Sequence, residues 1–242
     1  ITGHKEFFAL DFLVTPDVLI PKPDTELLVE LALAALEDKF RANPASIPTV
    51  CDMCTGSGCV GISINAELRM RNAELKMTFV DISEKALEVA RKNAQRLLGM
   101  GEPSDQCPVP HYELSIMNCA FVQSNLFENI PHTFDLIVTN PPYVPHSESL
   151  ELLKDGRSEP LLALDGDVDE YGEYDFTSDG LSLIRRLVPQ CYEHLNRNGV
   201  LIMETGEYNA QETAELFKKA GFRNVRIEYD MNEMMRDVLG VK

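Results

Sequence analysis

The sequence lacks the features that would place the chain in a membrane or on a nucleic acid. No apolar run approaches the roughly 20 residues that cross a bilayer, and no signal-peptide pattern follows the first residue, Ile1. Basic residues are scarce: 22 Lys and Arg stand against 39 Asp and Glu, for a formal net charge of −17. Because phosphate backbones are bound by clusters of Lys and Arg, we expect a cytoplasmic protein without direct contacts to nucleic acid or membrane.

Complete metal-binding spacings are also missing. Cys51 and Cys54 form half of a zinc or redox motif, but no second pair completes it at ligand spacing. We expect reduced structural thiols and no metal. The acidic run at residues 165–173 is similar to a calcium loop, yet Glu170 stands where that loop requires glycine. We expect a solvated insertion there.

What the chain does contain is the composition of one large α/β domain. Of its 242 residues, 44% are hydrophobic and 25% are charged, which leaves ample material for a core. Strand-like and helix-like segments alternate, and this alternation predicts a mainly parallel sheet covered on both faces. The acidic surplus leaves two interpretations open, simple solubility and attraction of a basic protein partner.

The patterns divide the chain into an arm and a main domain. Residues 1–23 carry short apolar stretches separated by Thr15-Pro16, which predicts an N-terminal hairpin or extended arm. Asp24 or Thr25 can cap the first helix of the main domain, residues 24–242. Residues 147–179 show little regular pattern. Further along, Asn198-Gly199 is expected to end a helix, and a last strand near Val238 to form an antiparallel edge.

The segment Asn140-Pro141-Pro142-Tyr143 follows a buried strand, residues 135–139. The prolines stop the strand because neither can donate a backbone hydrogen bond. Ligands of open α/β sheets bind at this carboxyl end. Asn140 and a backbone carbonyl can accept from an NH2 group, while Tyr143 covers its face. The alternative is an ordinary strand-terminating turn.

A second pattern lies upstream. A strand at residues 49–53 runs into the turn Asp52 to Gly58 and then into a helix, and the following strand ends at Asp81. Strand, glycine turn and helix let backbone N–H groups approach a nucleotide-like ligand, and an acidic residue at about this distance holds ribose hydroxyls. Asp52, the glycine turn and Asp81 therefore predict a nucleotide-type site.

Together these segments resemble the release factor glutamine methyltransferases. The resemblance covers essentially the whole chain and rests on five segments in order, which are Ile20-Pro21-Lys22-Pro23-Asp24-Thr25-Glu26, the turn from Asp52 to Gly58 with Asp81, Asn140 to Tyr143, Glu159-Pro160 with Ala163 to Gly166, and Asp179-Gly180-Leu181. DNA adenine and some RNA methyltransferases share the Asn-Pro-Pro-Tyr motif. The proline-rich and Glu-Pro segments make the resemblance specific.

The resemblance implies a Rossmann-like class I methyltransferase with a seven-stranded, mainly parallel sheet. It implies S-adenosyl-L-methionine as cofactor, S-adenosyl-L-homocysteine as product, and the Gln of the Gly-Gly-Gln motif of peptide chain release factors as acceptor. Family members carry an N-terminal helical domain, and this chain is expected to begin after it. We expect a monomer.

The resemblance also assigns residues. Asp52, Cys54, Thr55, Gly56, Ser57 and Gly58 would surround the amino acid part of the cofactor, Asp81 would hold the ribose, and Leu126 would lie near the adenine. Asn140, Pro141, Pro142 and Tyr143 would orient the substrate amide, with Asn140 also bordering the cofactor. Two positions depart from the family, since Cys54 replaces the usual Gly and Leu126 replaces an aromatic ring found in some relatives.

No His or carboxylate is placed by the sequence as an obvious general base. We therefore expect catalysis by positioning, with proton loss after methyl transfer. Three alternatives stay open: a glutamine in a ribosomal protein, an exocyclic amine in DNA or RNA, and a non-catalytic module that only binds the cofactor.

Overall fold

The computed structural model describes residues 3–99, 118–156, 158–167 and 179–242. A seven-stranded sheet has the order β5-β4-β3-β6-β7-β9-β8. Its strands are β3 (Thr49–Met53), β4 (Lys76–Asp81), β5 (Cys119–Gln123), β6 (Phe134–Thr139), β7 (Leu195–Glu204), β8 (Arg223–Tyr229) and β9 (Met235–Val241). The first five are mutually parallel, and β9 runs antiparallel to both β7 and β8. The expected Rossmann-like sheet is confirmed.

Helices cover both faces of this sheet, because its central strands are apolar on both sides. They are α1 (Glu26–Ala42), α2 (Cys59–Met70), α3 (Glu84–Leu98), α4 (His146–Leu153), α5 (Ser182–His194) and α6 (Ala210–Ala220). One core cluster packs α1, α2 and α3 against the sheet, with Leu28, Ile62 and Leu87 fully buried. The opposite cluster packs α5 and α6, with Ile184 and Phe217 fully buried.

The N-terminal arm forms a two-stranded hairpin, β1 (His4–Phe7) and β2 (Leu10–Leu13). Both turn residues, Phe8 and Ala9, have positive φ, the geometry of tight two-residue hairpin turns. Phe7 and Phe12 are buried in the core cluster. Asn93 of α3 bonds the backbone N–H and carbonyl of Leu13. The arm is therefore packed on the main domain through its aromatic side chains.

Three expectations about local structure are wrong. The segment after the Asn-Pro-Pro-Tyr motif contains a helix, α4. Helix α5 ends at His194, and Asn198-Gly199 lies inside β7, where Asn198 takes a positive φ beside a register shift. The last strand, β9, is not an edge, because it inserts between β7 and β8.

The first part of the acidic run is buried rather than solvated. Asp165 and Asp167 are fully buried. Asp167 accepts hydrogen bonds from the backbone N–H groups of His146 and Gly180, and Asp165 from the N–H of Asp167. Backbone donors, together with the His146 ring beside Asp165, thus replace water around these carboxylates. The remainder of the run, residues 168–173, lies outside the described residues.

Within the described ranges, none of the helices has both the length and the apolar character that a membrane span requires.

Candidate active site

A cavity of about 220 Å³ opens at the carboxyl ends of β3, β4 and β6. Two groups of residues line it. The sheet side contributes Asp52, Cys54, Thr55, Gly56, Ser57, Asp81, Leu126, Asn140 and Pro142, and the opposite walls contribute Val18, Leu19, Pro21, Thr25, Pro160 and Leu162. The two patterns recognised in the sequence therefore meet in one cavity. The proline-rich segment and the Glu-Pro segment form its outer walls.

Asp52 holds the glycine turn against the start of α2. One of its oxygens accepts from the Thr55 hydroxyl at 2.7 Å and from the Gly61 N–H at 3.0 Å. Burial raises the pKa of Asp52 to about 7, although both hydrogen bonds lower it. A Cβ at Gly61 would approach the Phe79 ring at 2.5 Å and Asp52 at 2.9 Å. This close approach of helix and strand is what requires glycine at position 61.

Asp81 binds the glycine turn from the neighbouring strand. Its Oδ2 accepts from the Gly56 N–H at 2.9 Å, and its Oδ1 accepts from the Ser83 N–H at 2.9 Å. Gly56 has φ +54°, and a Cβ there would meet no atom within 4 Å. The turn therefore leaves open space beside a carboxylate whose two oxygens each keep a further lone pair.

Cys54 and Leu126 are the two positions at which the sequence departs from the family resemblance. Both are in the left-handed backbone region, with φ of +59° and +51°. That region costs a non-glycine residue roughly 1 kcal/mol or more, so the glycine that the resemblance implies at position 54 would carry less strain there. Burial raises the pKa of the Cys54 thiol far above its usual range, so the thiol stays protonated. Leu126 presents an apolar contact to the cavity.

Asn140 is oriented by the residue that precedes α1. Its Nδ2 donates to the Thr25 hydroxyl oxygen at 3.3 Å. Thr25 occupies the N-cap position of α1, but its side chain makes no capping hydrogen bond. Instead of capping α1 as predicted, the Thr25 side chain thus contacts Asn140 at the cavity. Among the described residues, none donates to Asn140 Oδ1, which leaves that oxygen as an acceptor at the cavity surface.

Tyr143 faces away from the cavity. Its hydroxyl donates to Glu204 at 3.3 Å, and its backbone carbonyl accepts from Asn209 and from the Tyr208 hydroxyl. Gly166 and Gly180 pack against the backbone of Tyr143 so closely that a Cβ on either would collide with main-chain atoms. These two glycines therefore hold the end of the Asn-Pro-Pro-Tyr segment in place.

Glu204 is a buried carboxyl at the end of β7, behind Asn140 and Tyr143. It is 2% exposed, and its Oε2 has no hydrogen-bond partner among the described residues. Burial raises its pKa to about 7, while the hydroxyls of Thr25 and Tyr143 and the charge of Arg236 lower it. Asp237, its partner across the β7–β9 pair, is also buried, and burial raises its pKa strongly.

Most of the predicted site residues converge. Asp52, Cys54, Thr55, Gly56, Ser57, Asp81, Leu126, Asn140 and Pro142 line the cavity, whereas Gly58, Pro141 and Tyr143 do not. Gly58 is the N-cap of α2 with φ +80°, and a Cβ there would approach Ile62 at 2.8 Å and Ala90 at 3.2 Å. Sequence reasoning missed the contact of Thr25 with Asn140, and it missed Glu204. The feature of the sequence that could have indicated Glu204 is an acidic residue at the end of a buried strand.

Comparison with known proteins identifies the family. The chain is 36% identical over 242 residues to the release factor glutamine methyltransferase of Leptospira interrogans, covering 99% of this chain and 72% of that protein. It is 31% identical to the enzyme of that name from Haemophilus influenzae, covering 99% and 74%, and 35% identical to the one from Koribacter versatilis, covering 100% and 73%.

The chain belongs to the release factor glutamine methyltransferase family. No family model matches it. Solved structures support the fold that this membership implies. The chain aligns with a methyltransferase from Pyrococcus furiosus at a TM-score of 0.58 and 16% identity, covering 97% of this chain and 90% of that one. It aligns with a SAM-dependent methyltransferase from Agrobacterium tumefaciens at 0.57 and 16%, covering 98% and 69%.

Proposed function

We propose that this release factor glutamine methyltransferase homologue transfers a methyl group from S-adenosyl-L-methionine to a glutamine side-chain amide, that of the Gly-Gly-Gln motif in peptide chain release factors. The observation that carries the proposal is the orientation of Asn140. Its Nδ2 donates a hydrogen bond to Thr25, so Oδ1 is presented to the cavity as an acceptor for an NH2 group. Because this acceptor lies in the same cavity as the turn with Asp81 and Gly56, a cofactor bound at the turn would lie beside a substrate amide bound at Asn140.

The residues of the turn fit the cofactor. Open space beyond Gly56 allows close approach of a ligand to the backbone, and Asp81 can accept from two ribose hydroxyls with its remaining lone pairs. Asp52, Cys54, Thr55, Ser57 and Gly58 shape the turn that would receive the amino acid part, and Leu126 would contact the adenine. When bound, S-adenosyl-L-methionine supplies an electrophilic sulfonium methyl and leaves as S-adenosyl-L-homocysteine.

The residues from Asn140 to Tyr143 would act by positioning the substrate amide. A glutamine amide nitrogen is a weak nucleophile because its lone pair is delocalised into the carbonyl. Asn140 Oδ1 would accept from the substrate NH2, fix its orientation and favour the positive charge that develops on nitrogen. The resemblance gives the Pro141 carbonyl the same role, between the two lining residues Asn140 and Pro142. Pro142 and Tyr143 keep these acceptors at the strand end. The methylated nitrogen then loses one proton to water.

The remaining assignments are part of the same proposal. Residues 24–242 form the catalytic domain and residues 1–23 form an arm that packs on it. We propose that the protein acts as a monomer in the cytoplasm, where translation takes place. The absence of Lys and Arg clusters from the sequence favours a protein acceptor over a nucleic acid.

The experiment that tests the proposal offers several acceptors to the same protein. The purified chain is incubated with methyl-labelled cofactor and, separately, with a release factor, its Gln→Ala variant in the Gly-Gly-Gln motif, a ribosomal protein mixture, or DNA. Label is expected in the intact release factor and in no other sample. Label in ribosomal protein or DNA would replace the proposed acceptor, and cofactor binding without any transfer would indicate a binding module.

A further inference from the structure

We propose that Arg186 is a cofactor-binding residue whose guanidinium lies against the adenine of S-adenosyl-L-methionine. This inference rests on the proposed function. Arg186 belongs to α5 and lines the cavity together with Asn125 and Leu126. The family resemblance implies an aromatic ring at position 126 in some relatives. The guanidinium would supply the planar surface that Leu126 does not.

The side chain of Arg186 has no partner in the described part of the protein. Its Nε is buried without a hydrogen-bond partner, and its guanidinium forms no ion pair with any described residue. The neighbouring Arg185 differs, because Asp179 binds its guanidinium at 2.9 Å and Glu212 lies at 3.6 Å. The chain has 39 Asp and Glu against 22 Lys and Arg. A half-buried cation left unpaired among so many carboxylates is costly unless a ligand contacts it.

The register of α5 directs Arg186 toward the loop that follows β5. Leu183, three residues earlier, also lines the cavity. Gln190, four residues later, accepts a hydrogen bond from the Phe127 N–H at 3.5 Å. Residues three and four apart lie on one face of a helix. Arg186 is therefore on the face of α5 that borders both the cavity and the loop at residues 124–127.

The order of the strands determines which part of the cofactor would lie beside this loop. Along the carboxyl edge of the sheet, the loop follows β5, Asp81 ends β4, the glycine turn follows β3 and Asn140 follows β6. In the proposed complex Asp81 holds the ribose, and the methyl group must reach the substrate amide at Asn140. The sulfonium and the amino acid part therefore extend from the ribose across β3 toward β6. The adenine, on the other side of the ribose, extends toward β5 and Arg186.

A guanidinium suits the face of a purine. It is planar, it is more weakly hydrated than an ammonium group, and it stacks on aromatic rings. A cation over an aromatic face is also attracted by the ring electrons, and more strongly where water is excluded. Leu126 offers the base an apolar contact only. Arg186 would therefore contribute most of the contact to the face of the adenine.

Two substitutions at Arg186 test this contact by calorimetric titration of S-adenosyl-L-homocysteine. Arg186→Met keeps an apolar stem and removes the guanidinium, whereas Arg186→Lys keeps the charge and removes the plane. We expect Arg186→Met to weaken binding about tenfold, and Arg186→Lys to bind within about twofold of Arg186→Met. Wild-type affinity in Arg186→Met would refute the contact. Wild-type affinity in Arg186→Lys would show that a point charge suffices and would overturn the stacked geometry.

Adenosine as a second ligand locates the contact on the cofactor. It carries the base and the ribose but lacks the amino acid part, whose carboxylate is the other group that a guanidinium could bind. Arg186→Met should weaken adenosine binding by the same factor as S-adenosyl-L-homocysteine binding, within about twofold. A loss confined to S-adenosyl-L-homocysteine would place Arg186 at the carboxylate and would overturn the inference.

Arg185 provides the matched control, because it adjoins Arg186 in sequence but is bound by Asp179. Arg185→Met should lower the unfolding temperature of the free protein and keep the S-adenosyl-L-homocysteine affinity within about twofold of wild type. Arg186→Met should leave the unfolding temperature unchanged or raise it, because no protein partner is lost. The opposite pattern would assign Arg186 to the fold and contradict the proposal.

The wild-type titrations separate failure of this inference from failure of the proposed function. If wild type binds neither S-adenosyl-L-homocysteine nor adenosine, the proposed function fails, and the role of Arg186 fails with it. If wild type binds both ligands and Arg186→Met binds them equally well, only the role of Arg186 fails.

Discussion

Replacing Asp81 by Asn changes one oxygen of the carboxylate that binds the glycine turn. In wild type each oxygen accepts one backbone N–H, from Gly56 and from Ser83, both at 2.9 Å. In the variant an NH2 group must face one of these N–H groups, since neither can accept. The same NH2 also removes one acceptor from the ligand side. Either amide orientation therefore loses one backbone hydrogen bond and one of the two acceptors proposed for the ribose hydroxyls.

The expected magnitude follows from the charge of the acceptor. Hydrogen bonds to charged groups contribute about 1.5–3 kcal/mol, and about 1.4 kcal/mol corresponds to tenfold in affinity. We therefore expect Asp81→Asn to weaken binding of S-adenosyl-L-homocysteine about ten- to a hundredfold. Calorimetric titration measures this directly. An affinity within about twofold of wild type would refute the assignment of Asp81 to the cofactor.

Asp135 provides a matched control at the amino end of the central strand β6, the end opposite to the cavity. Its carboxylate accepts from the Thr49 N–H at 3.0 Å and from Asn196 at 3.2 Å. Asp135→Asn should lower the thermal unfolding temperature, because an NH2 in place of Oδ1 would face the donors of Lys39 and Asn196, while the remaining oxygen still accepts from the Thr49 N–H. Its cofactor affinity should stay within about twofold of wild type. A similar loss of affinity in both variants would indicate general destabilisation rather than a lost ligand contact.

Three further predictions concern the site and its support. Asn140→Ala should lower kcat for release factor methylation about 10²–10³-fold with an unchanged unfolding temperature, and survival of activity within about threefold would contradict positioning catalysis. Gly61→Ala should lower the free energy of unfolding in urea by about 1–3 kcal/mol, because a Cβ there would collide with Phe79 and Asp52. Gly56→Ala should weaken cofactor binding more than it lowers stability, because its Cβ would meet no protein atom and would enter the cavity. Equal effects of the two substitutions on both properties would argue against these separate roles. For Glu204, burial raises the folded pKa to about 7, so its contribution to stability is fully present at low pH and is lost as pH rises toward about 7. Glu204→Gln should therefore raise the melting temperature more at about pH 8 than at about pH 5, and a larger gain at low pH would show that burial does not dominate.

Periodic, well-capped segments could be predicted from sequence. Helix α2 (Cys59–Met70) follows the glycine turn as expected, and the start of α3 (Glu84–Leu98) is marked by Ser83, whose hydroxyl accepts from the Ala86 N–H. The sequence predicts the hairpin of the arm but not its bounds, because Phe8 and Ala9 are unusual residues for a tight turn with positive φ. Helix α4 is short and carries one fully buried residue, Ser149. Its sequence therefore lacks the apolar periodicity that would predict a helix.

The cavity-lining residues on the sheet side were predictable because they lie at or after the carboxyl ends of neighbouring strands. The network behind them was not, because it depends on tertiary contacts. Thr25 looked like a helix cap, and only the fold brings it under Asn140. Asp165 and Asp167 looked solvated, and only the fold supplies the backbone N–H groups that satisfy them in the interior.

The most direct test of the account is mass spectrometry of a release factor after incubation with this protein and S-adenosyl-L-methionine. We predict one added methyl group, located by fragmentation on the glutamine of the Gly-Gly-Gln motif, and none with Asn140→Ala. A methyl group on any other residue, or an unmodified release factor in the presence of bound cofactor, would contradict the account.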